Sequence, residues 1–80
     1  MSSMHERFAA ILVEKFGLGA DEISPTSTLE DLEMDSLALV ELVVSVQKEF
    51  GVVIDDSELP GDATVADVIA LIGARQQEAA

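Results

Sequence analysis

The sequence predicts an all-α fold: a four-helix bundle of three longer helices and one short helix, with a long loop between helices 1 and 2. Three observations carry that prediction. Apolar residues recur at helical spacing in three stretches of the chain. Those stretches open on capping residues and close at or near a glycine. The run that resembles a strand, Val52-Val53-Ile54, meets no second run with which to pair.

The first helix is expected over residues 4–16, where Met4, Phe8, Ile11, Leu12 and Phe16 share one face and Ala9 and Val13 widen it. Ser3 and Glu6 have capping-box spacing, in which each side chain accepts from the other's backbone amide. Gly17 supplies a left-handed stop. Residues 17–35 contain Gly17, Gly19, Pro25 and the polar run Ser24 to Thr28, so no continuous helix passes through them. Leu18, Ile23, Leu29 and Leu32 give this loop apolar points with which to dock on a core, and a short helical turn is expected near Leu29 to Leu32.

The second helix is expected from Ser36 to Phe50, with Asp35 or Ser36 as N-cap and Gly51 as stop. On a helical wheel, Leu39, Leu42, Val43, Val46 and Phe50 fall within an arc of about 100°, an ordinary core stripe. Leu37, Val40 and Val44 fall on a second arc bordered by Glu41, Gln47 and Lys48. This second face either packs inside, against the loop or the next helix, or forms an apolar strip edged by carboxylates for a basic partner.

Asp55-Asp56-Ser57-Glu58-Leu59 reads as the short helix, acidic at its start and closed by Pro60-Gly61. A last helix opens at Thr64, with Asp67 three residues on, and buries Val65, Val68, Ile69 and Ile72 before Gly73. One domain is expected over residues 1–80, with 1–3 and 74–80 as frayed termini.

At 80 residues the chain is near the lower size for a core without disulfides or metal, and folding buries about 60–65% of the unfolded surface. A hydrophobic content of 49% is too high for disorder, despite a formal net charge of −12. Between residues 16 and 74 thirteen acids face one base, Lys48. Such a balance disfavours nucleic acid and anionic membranes and favours basic partners. The absence of cysteine excludes disulfides and thiolate metal sites and fits a reducing compartment. No apolar run is long enough to span a bilayer, and the N-terminus lacks a signal-peptide pattern, so a cytoplasmic monomer is expected.

The residues do not assemble catalytic chemistry, and no catalytic residue or metal site is assigned. His5 is the only histidine, and it falls in the first helical turn, where a solvated surface position is expected. No nucleophile and base pair can be built around Ser36 except from carboxylates. Asp55-Asp56-Ser57-Glu58 lacks the alternating ligands, glycine and terminal glutamate of a calcium loop. An Asp-Ser pair at a helix start is, by itself, most often a cap.

The surroundings of that pair say more. Asp31-Leu32-Glu33-Met34-Asp35-Ser36-Leu37, followed by Val40-Glu41-Leu42, resembles the acyl carrier protein family. The likeness continues through Glu49-Phe50-Gly51, Ile54-Asp55-Asp56 and Thr64-Val65-Ala66-Asp67, nearly the whole chain. The resemblance implies that Ser36 accepts 4′-phosphopantetheine from coenzyme A, through a phosphopantetheinyl transferase, and that the arm carries acyl groups as thioesters. Asp35 would cap the helix and help dock the transferase. Leu37, Val40, Glu41 and Val44, with Asp55 and Asp56, would meet the basic surfaces of ketosynthase, acyltransferase and other synthase enzymes.

A positive helix end suits the phosphodiester, and a cofactor thiol fits a chain without cysteine. Where the family usually has Asp-Leu-Gly-x-Asp-Ser-Leu, this chain has Glu33 in place of glycine. Ala38 and Leu39 replace frequent polar residues, and Gln47 and Lys48 interrupt an acidic helix. These departures favour a dedicated carrier, such as a stand-alone polyketide synthase carrier, over the housekeeping fatty-acid one. The alternatives are a peptidyl or aminoacyl carrier, and an acidic helical adaptor without cofactor.

Overall fold

Helix α1 spans Met4–Phe16 in the structure, a computed structural model that describes residues 3–79, with side chains through Gln77. Its N-terminus carries the full capping box: Glu6 N donates to Ser3 Oγ at 3.1 Å, and Ser3 N donates to Glu6 Oε2 at 3.3 Å. Its C-terminus closes on Gly17 at φ 69°, a left-handed position that favours glycine. Helix α2 spans Ser36–Phe50, capped by Asp35 and closed by Gly51 at φ 72°. Helix α3 spans Val65–Ala79.

Two corrections to the expected bundle concern its later part. The short fourth helix is a single 3₁₀ turn, Asp56–Glu58, so the fold has three α-helices among the described residues and no strand. The reason is local. Asp55 N donates to Glu58 Oε2 at 2.9 Å, which closes a cap around one turn, and Pro60 follows before a second turn can form. The last helix, in turn, does not stop at Gly73 but continues to Ala79. A mid-helix glycine costs only about 1 kcal/mol against alanine, and side chains beyond it are anchored. Arg75 donates to Val53 O at 3.2 Å, and Gln76 donates to Phe50 O at 3.5 Å. Residues 74–79 are therefore helical where a frayed end was expected; Ser3 is a cap, and residues 1, 2 and 80 lie outside the described residues.

The core is built from all three helices and the connections. Phe8 and Leu12 of α1, Leu42 and Val46 of α2, and Val65, Val68 and Ile72 of α3 are buried with Leu29, Ile54 and Leu59. Each large side chain removed from water contributes about 1.5–3 kcal/mol before entropy is counted. Val52 and Ile54 are buried while Val53 between them is exposed, which fastens the 52–54 connector by alternate side chains.

The loop between α1 and α2 is packed, and its expected anchors Ile23, Leu29 and Leu32 are buried. Its order comes from backbone pairing with the segment that opens α3. Leu29 N donates to Ala63 O, Glu30 N to Gly61 O, Val65 N to Ser27 O and Ala66 N to Pro25 O, all at 2.9–3.1 Å. Thr28 and Thr64 form an isolated antiparallel bridge at the centre of this seam. Each threonine also opens a capping box with the aspartate three residues on, Asp31 and Asp67 respectively. The seam fixes the loop, and the loop delivers the chain to the start of α2.

Candidate functional site at the start of helix α2

The approach to Ser36 is a tight turn followed by Met34 and the extended Asp35. Leu32 N donates to Thr28 O at 3.1 Å, Glu33 N to Glu30 O at 3.0 Å and Met34 N to Leu29 O at 3.0 Å. Glu33 sits at φ 59°, the left-handed region, and is the non-glycine residue with positive φ among those described. That is the position at which the resembling family has glycine, so the backbone shape persists here without the residue that adopts it at least cost. Met34 then packs against the core, and Asp35 is extended.

Asp35 Oδ1 accepts from Ala38 N at 2.8 Å, and Asp35 O accepts from Leu39 N at 2.9 Å. The amides of Ser36 and Leu37 donate no hydrogen bond to the described residues, so the helix start keeps two donors and its positive dipole end facing outward. Ser36 is exposed. Its hydroxyl, too, is unengaged among the described residues, whereas Ser3 Oγ caps α1, Ser24 Oγ pairs with Thr26 and Ser27 Oγ donates to Glu22 O. Ser45 is half-buried midway along α2, and the Ser57 hydroxyl lies beside the Asp55 carboxylate.

The second apolar face of α2 stays outside. Leu37 is 69% exposed, Val40 48% and Val44 44%, so packing into the core does not account for them. Leu39 and Val43 instead pack with the core stripe. The structure brings Val40 and Val44 together with Asp55 and Asp56 around a cleft of about 260 Å³, whose other walls are Val43 and Ile54. Glu41 points to the other side of the Val40–Val44 ridge, where it lines a cavity of about 720 Å³ between α1 and α2. Leu37 lines neither cavity and stands one turn closer to the helix start.

Asp55 caps the 3₁₀ turn, its Oδ1 accepting from Ser57 N at 3.0 Å. That amide, followed by hydrogen bonds with the Asp56 carboxyl and the Ser57 hydroxyl, holds the Asp55 pKa below the usual carboxylate value. The carboxylate at the lip of the cleft is therefore firmly ionised. Among the described residues no three His, Asp or Glu side chains converge as a metal site would require. His5 is half-buried in the first turn of α1 rather than fully solvated. Sequence reasoning placed Ile54 in a connector and Arg75 in a tail; the alternation of Val52, Val53 and Ile54 was the available signal for the first, and the second had none.

Comparison with known proteins gives the class first. Residues 6–72 match the family described as phosphopantetheine attachment site. Over 75 residues the chain is 39% identical to an acyl carrier protein of Nitratidesulfovibrio vulgaris strain Miyazaki F and 37% identical to that of the Hildenborough strain. Each alignment covers 92% of this chain and 99% of the relative. The chain belongs to the acyl carrier protein family, and a covalently attached 4′-phosphopantetheine belongs with it. The residues fit such a group: an accessible hydroxyl, two outward amides and a positive helix end suit a phosphodiester anion.

Proposed function

We propose that this chain is a carrier that holds acyl groups as thioesters on a 4′-phosphopantetheine arm at Ser36 and presents them to synthase enzymes. The observation that carries the reading is the exposed, unengaged Ser36 hydroxyl at the first residue of α2. On transfer, the Ser36 hydroxyl gives up its proton as Oγ bonds to the phosphorus that bears the pantetheine; the bond from that phosphorus to the bridging pyrophosphate oxygen of coenzyme A breaks, and adenosine 3′,5′-bisphosphate leaves. The bound group supplies a flexible thiol for thioester chemistry, and the protein contributes no acid or base to it.

The chain's own residues orient and recognise. Asp35 spends its carboxylate on the Ala38 amide, which fixes the helix start and leaves the Ser36 and Leu37 amides to the phosphodiester. Asp35 also offers charge to the transferase. Leu37, Val40 and Val44 form an apolar docking strip, with Glu41 on one flank and Asp55 and Asp56 on the other. Apolar centre and acidic rim together suit a basic, hydrophobic-centred surface on a ketosynthase, acyltransferase or transferase. The cleft beside Val40 and Val44 shelters the part of the acyl group nearest the arm.

The departures at Glu33, Ala38 and Leu39 favour a dedicated polyketide-type pathway over general fatty-acid synthesis. A monomeric carrier domain working in the cytoplasm completes the reading. The test is direct: incubate the apo chain with coenzyme A, magnesium and a broad-range phosphopantetheinyl transferase, then measure intact mass. A gain of one phosphopantetheinyl group on the wild type and none on Ser36→Ala is expected. No gain on the wild type, or an equal gain on the variant, overturns it.

A further inference from the structure

Arg75 lies in the segment that the sequence suggests is frayed, yet it joins three parts of the fold. From α3, Nη1 donates to Val53 O at 3.2 Å, and Nη2 pairs with Glu58 Oε1. The second oxygen of that carboxylate, Glu58 Oε2, accepts from Asp55 N at 2.9 Å. Glu58 therefore links the guanidinium to the cap of the acidic turn. Both side chains are about one-third exposed, at 32% for Arg75 and 29% for Glu58, so the pair is partly shielded from water and salt.

This arrangement bears on the cleft. The 54–56 segment forms one wall and α2 the other. Among the described residues no hydrogen bond crosses from α2 to residues 54–58. Within the turn, Ser57 N, Glu58 N and Leu59 N bond only to Asp55 and Asp56. Burial of Ile54 and Leu59 pins the two ends of the turn, but its polar tie to the rest of the molecule runs through α3 and Arg75.

We infer that Arg75 is the positioning residue of this cleft: its guanidinium, held on Val53 O and Glu58, fixes the acidic 55–58 lip and so sets which acyl groups fit beside Val40 and Val44. Arginine suits the task because one planar fork reaches a carbonyl and a carboxylate at once, which a lysine ammonium does less well. The inference rests on the carrier reading above.

Two measurements on Arg75→Met, Arg75→Lys and the wild type test it. In the apo chain, amide hydrogen exchange at Ser57, Glu58 and Leu59 rises about three- to tenfold in Arg75→Met, the loosening expected from loss of an ion pair that is about one-third exposed and so partly screened by water. Arg75→Lys recovers part of that protection, and exchange in the cores of α1 and α2 is unchanged. In the holo chain, a longer acyl thioester on the wild type is cleaved by hydroxylamine more slowly than an acetyl thioester, and in Arg75→Met the two rates converge. Unchanged exchange at the lip would overturn the inference, as would a loosened lip with an unaltered ratio of long to short cleavage rates, which leaves the carrier reading intact. Failure of the wild type to accept the arm would overturn the carrier reading and this inference with it.

Discussion

Replacing Glu33 by glycine relieves a backbone cost that the structure locates at one residue. Glu33 holds φ 59° between the buried Leu32 and the half-buried Met34, and its amide donates to Glu30 O at 3.0 Å. The flanking side chains and hydrogen bonds prevent the turn from relaxing. A side chain in the left-handed region costs about 1–2 kcal/mol, and glycine returns about 0.4–1 kcal/mol of that through the greater freedom of the unfolded chain. The net gain is about 0.5–1 kcal/mol, which for a domain of this size raises Tm by about 3–6 °C. Glu33→Gln, which removes only the charge, is the reference in thermal unfolding followed by circular dichroism. Glu33→Val, β-branched at the same φ, should melt below that reference. A glycine variant no more stable than Glu33→Gln, or a valine variant equal to it, would refute the strain argument.

Three further outcomes are expected. Glu41→Lys weakens capture by a partner synthase about three- to tenfold at low salt with helical content unchanged, since the side chain is exposed on the flank of the strip; loss of helix along with binding would make the residue structural. Added salt or magnesium raises Tm, because a net charge of −12 repels itself in the folded state, and an unchanged or lowered Tm contradicts this. The Asp55 carboxyl titrates below the usual aspartate value in an NMR pH series. Its folded pKa is depressed, so its contribution to stability is complete above the ordinary aspartate pKa and is lost as pH falls through the folded value. A midpoint at or above the ordinary value would remove the Ser57 amide as its cause.

The parts of the fold legible in the sequence are those governed by local chemistry. Ser3 with Glu6, Gly17, Asp35 and Gly51 define the ends of α1 and α2 through groups within a few residues of each other. The run past Gly73 was not legible, because what holds α3 there is distant in sequence: Val53 and Glu58 for Arg75, and Phe50 for Gln76. The Thr64 and Asp67 cap could be read alone, but its pairing with the Thr28 and Asp31 cap across the seam could not. The wheel of α2 showed a second apolar face without showing whether anything covered it. That depended on the path of residues 52–59, which pass beside Val40 and Val44 as a cleft wall and leave them about half exposed. Asp55 and Asp56 could be named as partner contacts, but only the fold places them across that cleft from α2.

The central claim is that one hydroxyl, Ser36, bears the arm. Fragmentation mass spectrometry of the chain after transferase treatment locates the added group at the level of single residues. The account predicts phosphopantetheine on Ser36 and unmodified Ser24, Ser27, Ser45 and Ser57. The group on any of those four, or a modified chain in which Ser36 is free, would contradict it.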